Sequence, residues 1–161
     1  ELKDYEKLDE DSITYSFHNY PINVSKQCMK KCVNYFKGTN AHIFVTGSIA
    51  SLAQDVVENL RNYKINCGLS LIHTIKPICE KDIIKITKKC KKIIVIEEHN
   101  KFGGLSFIIS EVLIRNNVFP NKFISFNSGE KFTSVVGSQN YLRNIHKLNL
   151  KSITNKILKH I

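Results

Sequence analysis

Apolar residues in this chain come in short blocks separated by polar turns. Residues 42–46 (HIFVT) form one block, 64–72 a second around Ile65, Cys67, Leu69 and Leu71, 92–96 (KIIVI) a third and 123–126 a fourth. The blocks are short for globular helices, and the third is rich in β-branched side chains. That pattern predicts strands buried on both faces of a parallel sheet. Between the blocks, apolar residues recur every three or four positions. Leu52, Val56, Val57 and Leu60 mark a helix over 49–62. Ile83, Ile84 and Ile86 mark one over 80–90, and a third covers 105–115. Two more helices are predicted, over 139–146 after Gly137-Ser138 and over 152–160. From residue 41 the order is βαβαβαβ followed by two helices. This order predicts an α/β fold of three layers, α/β/α, around a mostly parallel sheet of about five strands.

The first forty residues carry a weaker pattern. Residues 1–11 are charged and read as a lead-in. Residues 12–19 partly alternate, with Ile13, Tyr15 and Phe17 on one side, and predict an edge strand that Pro21 ends. Residues 24–36 place Val24, Cys28, Cys32, Val33 and Phe36 at helical spacing. Ser25 stands as the cap and Gly38 just past the end. The expected organisation is a divergent lead-in over 1–40 and an α/β domain over 41–161.

Length and composition narrow the class. At 161 residues, 42% of them hydrophobic, the chain suits one domain with a real core. No apolar run approaches the roughly 20 residues that span a bilayer, so no membrane association is expected. The charged opening, ELKDYEKLDED, is no signal peptide, which points to the cytoplasm or an organelle stroma or matrix. The chain starts at Glu1 rather than a methionine, as expected of a piece of a longer protein.

The net charge of +10 raises nucleic acid or an anionic surface as a partner. Only Arg61, Arg115 and Arg143 are arginines, however, and the lysines are scattered. A solvated lysine surface is the reading adopted, with no nucleic-acid partner. The five cysteines, Cys28, Cys32, Cys67, Cys79 and Cys90, are odd in number and show no zinc spacing. They are expected to be reduced thiols without a metal.

Three polar loops should share the carboxyl edge of the sheet, where α/β proteins build their sites. The first is Gly47-Ser48, which can be a phosphate-binding helix start or a tight turn. Neither glycine-rich phosphate fingerprint is present, so the turn is the preferred reading. The second holds Thr74, Lys76 and Pro77, with Pro77 biasing Lys76 away from helix. The third holds Glu97, Glu98, His99, Gly103 and Gly104. Two carboxylates and a histidine suggest acid/base work. Adjacent loop residues point in different directions, though, so a hydrogen-bonding or interface role is preferred for His99. Gly103-Gly104 is expected to let a helix start approach the sheet closely. No Gly-x-Ser-x-Gly elbow occurs.

Taken together, these segments resemble the C-terminal domain of the transketolase superfamily of thiamine diphosphate enzymes. The superfamily includes transketolase, 1-deoxyxylulose-5-phosphate synthase and the beta chains of 2-oxoacid dehydrogenases. The likeness rests on Thr46-Gly47-Ser48, on 71–77 ending in Lys76-Pro77, and on Glu97-Glu98-His99 followed by Gly103-Gly104-Leu105-Ser106. Gly137-Ser138 with 139–142, and 148–158, complete it. The family's usual Gly after Gly-Gly-Leu is missing; Ser106 and then the bulky Phe107 stand there. Its arginine- and glycine-rich lead-in is absent from 12–40.

The resemblance implies a structural and assembly domain of a transketolase-type enzyme, inert alone. In such enzymes thiamine diphosphate and Mg2+ lie between a pyrophosphate-binding and a pyrimidine-binding domain, usually across a homodimer. The Gly-Asp-Gly motif that holds the cofactor is absent here. No cofactor is therefore expected in this chain, no residue is expected to be catalytic, and those two domains are its implied partners. The alternatives are the C-terminal domain of a 2-oxoacid dehydrogenase beta chain, a free-standing small-ligand module and a basic interaction protein.

Overall fold

A computed structural model describes residues 32–130 and 133–161 in full, and the backbone of 7–9, 12–17 and 20–25. Three strands, β1 (Lys7–Asp9), β2 (Ser12–Phe17) and β3 (Tyr20–Ser25), form an antiparallel sheet in the order β1-β2-β3. The strand expected over 12–19 is thus present, but it is central rather than an edge. Pro21 does not end the pairing, because it lies within β3 opposite Ser16.

The helix expected over 24–36 is corrected in part. Ser25 ends β3, residues 26–31 lie outside the described residues, and Val33–Phe36 is a strand, β4. The helical spacing was formed by residues of separate elements. β4 runs antiparallel against β6, Cys67–Leu71, pairing Val33 with Leu71 and Asn34 with Ser70. It satisfies backbone groups that β6 would otherwise present unpaired at the sheet's edge.

The main sheet has five strands in the order β4-β6-β5-β7-β8, where β5 is Ala41–Val45, β7 Lys92–Ile96 and β8 Lys122–Phe126. β5 through β8 are mutually parallel. Alternation divides their side chains between two cores. Ile43, Val45, Ile94 and Ile96 face α1 (Ala50–Asn62) and α5 (Leu150–Leu158), meeting Val56, Leu60, Ile153 and Ile157. Phe44, Ile93 and Val95 face α2 (Glu80–Lys89) and α3 (Leu105–Arg115), meeting Ile83, Ile109 and Val112. Helices on both faces make the three-layer arrangement that the chain's alternation predicted. Among the described residues no helix is long and apolar enough to cross a membrane.

Two helix starts are set by caps. α4 (Gln139–Ile145) begins at Ser138, whose hydroxyl accepts from the Tyr141 amide. α5 begins two residues before the expected position, because Asn149 Oδ1 accepts from the Ser152 amide at 2.9 Å.

A polar chain is buried on the side of the sheet that carries the second core. His42 is 4% exposed, and its Nε2 lies 2.7 Å from Ser70 Oγ, which in turn donates to Asn34 Oδ1. The ring fits only because residue 68 is glycine: a Cβ there would stand 2.3 Å from His42 Nδ1. Burial pushes the imidazole down from 6.5 to about 4. Above pH 6.5 neither folded nor unfolded chain charges this ring. As pH falls, the unfolded chain takes the proton first and gains on the folded one. Stability is therefore expected to drop between pH 6.5 and about 4, by up to about 3 kcal/mol from this group. Urea midpoints across that range should show the slope, and His42→Gln should flatten it.

Candidate functional site

The carboxyl ends of β5 and β7 meet at two linked polar arrangements. β7 closes with Glu97, whose amide donates to Phe126 O at 3.0 Å. Its side chain is fully buried. Glu97 Oε1 accepts from the Ser106 amide at 2.9 Å and from Ser106 Oγ at 2.6 Å, while Oε2 accepts from the Leu105 amide. α3 has no side-chain cap from its own N-cap residue, Gly104. The carboxylate of the preceding strand takes that role, with its charge against the positive end of the helix. Gly104 is what permits the contact, since a Cβ there would stand 2.1 Å from Glu97 Oε2. Gly103 adopts φ +74, a left-handed conformation that glycine takes without strain.

Glu98 points the other way. Its Oε2 accepts from Ser48 Oγ at 2.7 Å, and Oε1 from Arg143 Nε at 2.8 Å and Gln139 Nε2 at 3.3 Å. Ser48 Oγ also accepts from Gln139 Nε2 at 3.0 Å and Arg143 Nη2 at 3.3 Å. Ser48 is placed by the tight 3-10 turn Gly47–Ile49, which Gly47 enters at φ +76. Gln139 and Arg143 project from one face of α4, four residues apart. Burial alone would raise the Glu98 carboxyl. The bonds from Arg143 and Ser48, the arginine charge and Gln139 outweigh it and hold the group below its ordinary value.

α4 buries none of its own side chains, and this four-residue clasp ties it to the sheet edge. Chemically the clasp is closed: the Ser48 proton is committed to a carboxylate, and among the described residues no histidine hydrogen-bonds to that hydroxyl. Beside it lies a cleft of about 410 Å³ lined by Glu98, Ser128, Gln139, Arg143 and His146.

The remaining expected residues are spread out. The exposed His99 ring has Nδ1 3.0 Å from Asn100 O, and its backbone carbonyl accepts from the Ser128 amide at 3.0 Å and Oγ at 2.9 Å. Thr74 Oγ1 is 2.7 Å from His73 Nδ1, and the exposed Lys76 and Pro77 are joined by a cis peptide. No hydrogen bond or ion pair among the described residues joins Thr74, Lys76 or Pro77 to Glu98. At their roots, however, the first two loops are tied by Thr46 Oγ1 donating to Ile72 O at 2.8 Å. Sequence reasoning missed Gln139 and Arg143. Their four-residue spacing was visible, but their partners lie 41 to 95 positions away.

A sequence model described as the transketolase C-terminal domain matches residues 31–125. The chain belongs to this family. It is 28% identical over 156 residues to a 1-deoxy-D-xylulose-5-phosphate synthase of Dehalococcoides mccartyi, covering 91% of this chain and 22% of that protein. A pyruvate dehydrogenase E1 component subunit beta of Rickettsia felis is 28% identical over 79 residues, 49% of this chain and 24% of that protein. The chain spans about a fifth to a quarter of the length of such relatives. Among solved structures, a split-gene transketolase in an inactive β4 tetramer superposes with a TM-score of 0.70 at 17% identity. That match covers 81% of this chain and 42% of the other. At that identity the likeness speaks for the fold.

The family implies thiamine diphosphate with Mg2+, and the carboxyl edge does not fit that group. A magnesium diphosphate needs clustered oxygen donors. Here Glu97 is committed to Leu105 and Ser106, and Glu98 to Ser48 and Arg143. Among the described residues no three acidic, histidine or cysteine side chains stand together to hold a metal.

Replacing Glu97 by alanine is expected to cost about 3 kcal/mol, through lost charge-assisted bonds and orphaned helix donors. Glu98→Ala, at the partly exposed clasp, should cost about 1 kcal/mol or less. Gly104→Ala should approach the Glu97 value, and the double variant should cost less than the two singles combined. Urea denaturation measures all four.

Proposed function

We propose that this domain is the C-terminal assembly domain of a thiamine diphosphate-dependent transketolase-type enzyme of the 1-deoxyxylulose-5-phosphate synthase kind. It braces the pyrimidine- and pyrophosphate-binding domains within a homodimer and carries no catalytic residue of its own. The supporting observation is a contrast at one edge of the fold. The acidic groups there are committed to internal bonds, while apolar surface opens beside them where the chain enters α3: Phe102 and Phe107 are 61% and 54% exposed. Exposed aromatics beside a polar rim suit a protein contact better than a small substrate. His99, exposed at the same edge, belongs to that contact, and Gly47, Ser48, Thr74, Lys76 and Pro77 form its rim. Ketol transfer is chemistry that the cofactor supplies in the complete enzyme, which would work in the cytoplasm or an organelle stroma or matrix. The similarity to a pyruvate dehydrogenase beta subunit favours, as a second reading, the same role in a 2-oxoacid dehydrogenase.

Calorimetric titration of this chain with thiamine diphosphate and Mg2+ should show no metal-dependent binding; a measurable affinity would refute the non-catalytic assignment. In the complete enzyme, Phe107→Asp and His99→Ala should weaken subunit association, by roughly tenfold for the Phe107 change, and leave kcat per assembled site unaltered. Normal assembly with lost turnover would overturn the reading.

A further inference from the structure

A second cleft opens toward the amino ends of β5 and β7, away from the carboxyl edge. It measures about 440 Å³ and lies between α2, β4 and the start of β5. Its walls supply three kinds of chemistry. Phe36, Ile86 and Cys90 give an apolar lining, Lys37, Lys85 and Lys89 bring positive charge, and His42 and Asp82 bring hydrogen-bond acceptors. We propose that this cleft binds a small aromatic hydroxy acid, its hydroxyl donating to His42 and its carboxylate lying among the three lysines.

The histidine decides the hydroxyl. Ser70 Oγ has one proton, and that proton goes to Asn34 Oδ1. His42 Nε2, 2.7 Å from the same oxygen, must therefore be the donor of that pair. Burial holds the ring neutral, pushed down to about 4, so Nδ1 carries no proton. Nδ1 is then an acceptor, and among the described residues it has no hydrogen-bond partner. The absent side chain of Gly68 keeps that nitrogen unblocked, since a Cβ there would stand 2.3 Å from it. A ring 4% exposed that still lines a cleft, with an acceptor to spare, is satisfied by a ligand that donates. Asp82 has the same preference. Its Oδ2 already takes the Cys32 amide at 3.1 Å, and an ionised carboxylate only accepts.

The lysines decide the charge. Lys85 and Lys89 stand four residues apart on α2, on the face that also carries Asp82 and Ile86. Like charges at that spacing repel, and among the described residues neither lysine, nor Lys37, makes an ion pair. Three exposed lysines against one aspartate leave the cleft positive, which draws in an anion. Between the two polar parts, the Phe36 ring and the Ile86 side chain suit a flat apolar body. The Arg61 guanidinium, 4.6 Å from the Phe36 ring centroid, helps to hold that ring in place.

The test is a titration of the full chain with 4-hydroxyphenylacetate at low salt, read by calorimetry and by the ring-nitrogen NMR signals of His42. Saturable binding is expected, with a Kd on the order of 1 mM or below, and the His42 Nδ1 signal should move with occupancy. Phenylacetate, which lacks the hydroxyl, and 4-hydroxyphenethyl alcohol, which lacks the charge, should each bind roughly tenfold more weakly. Lys85→Glu combined with Lys89→Glu should weaken the hydroxy acid by roughly tenfold or more. Both side chains are exposed, so this variant keeps the fold. Absence of saturation up to about 10 mM would overturn the proposal. So would phenylacetate binding as tightly as the hydroxy acid, or an affinity that the lysine substitutions leave unchanged.

Discussion

A carboxylate with no exposure to water must find its counter-charge within the fold, and at the end of β7 that counter-charge is the start of a helix. Glu97 meets the Leu105 and Ser106 amides and the Ser106 hydroxyl, which fixes both the direction and the distance at which α3 leaves the sheet. The demand spreads outward. Position 104 has to lack a Cβ, position 103 has to turn left-handed, and position 106 has to offer two donors. Removing the carboxylate leaves those donors buried and unmet, which is why the contact governs the geometry around it.

Because successive residues of an extended chain face opposite ways, burying Glu97 turns Glu98 out toward β5's loop and α4. The clasp with Ser48, Gln139 and Arg143 follows from that. It unites three segments remote in sequence, and it holds a helix that contributes nothing to either apolar core. Packing secures α1, α2, α3 and α5, whereas α4 depends on charge and hydrogen bonds, which added salt weakens. The carboxyl edge thus combines a rigid half, set by the buried carboxylate, with a half whose attachment is electrostatic.

The central architecture was legible because each parallel strand is apolar on both faces and each covering helix on one. HIFV and KIIVI leave little choice but a covered sheet. The segment 33–36 was misread because an edge strand is only half buried, and its apolar residues fell into step with those of a neighbouring element. The carboxyl-edge residues were legible as a group and not as individuals. Glu97, Glu98 and His99 look alike in a string of letters, yet they occupy a sealed interior, a polar clasp and open solvent. The burial that separates them is set by residues up to 50 positions away, as between Glu98 and Ser48. Ser106, noted as a departure from the usual glycine, gained its explanation only when its hydroxyl was found on Glu97.

The fit of His42 against Gly68 also bears on how such chains diverge. An imidazole at one position and the missing side chain at the other occupy a single volume, shared across two adjacent parallel strands. Neither position can drift alone. Relatives that carry a larger residue at 68 should have exchanged the ring at 42 for something smaller, so the two columns should change together as the lineage branches.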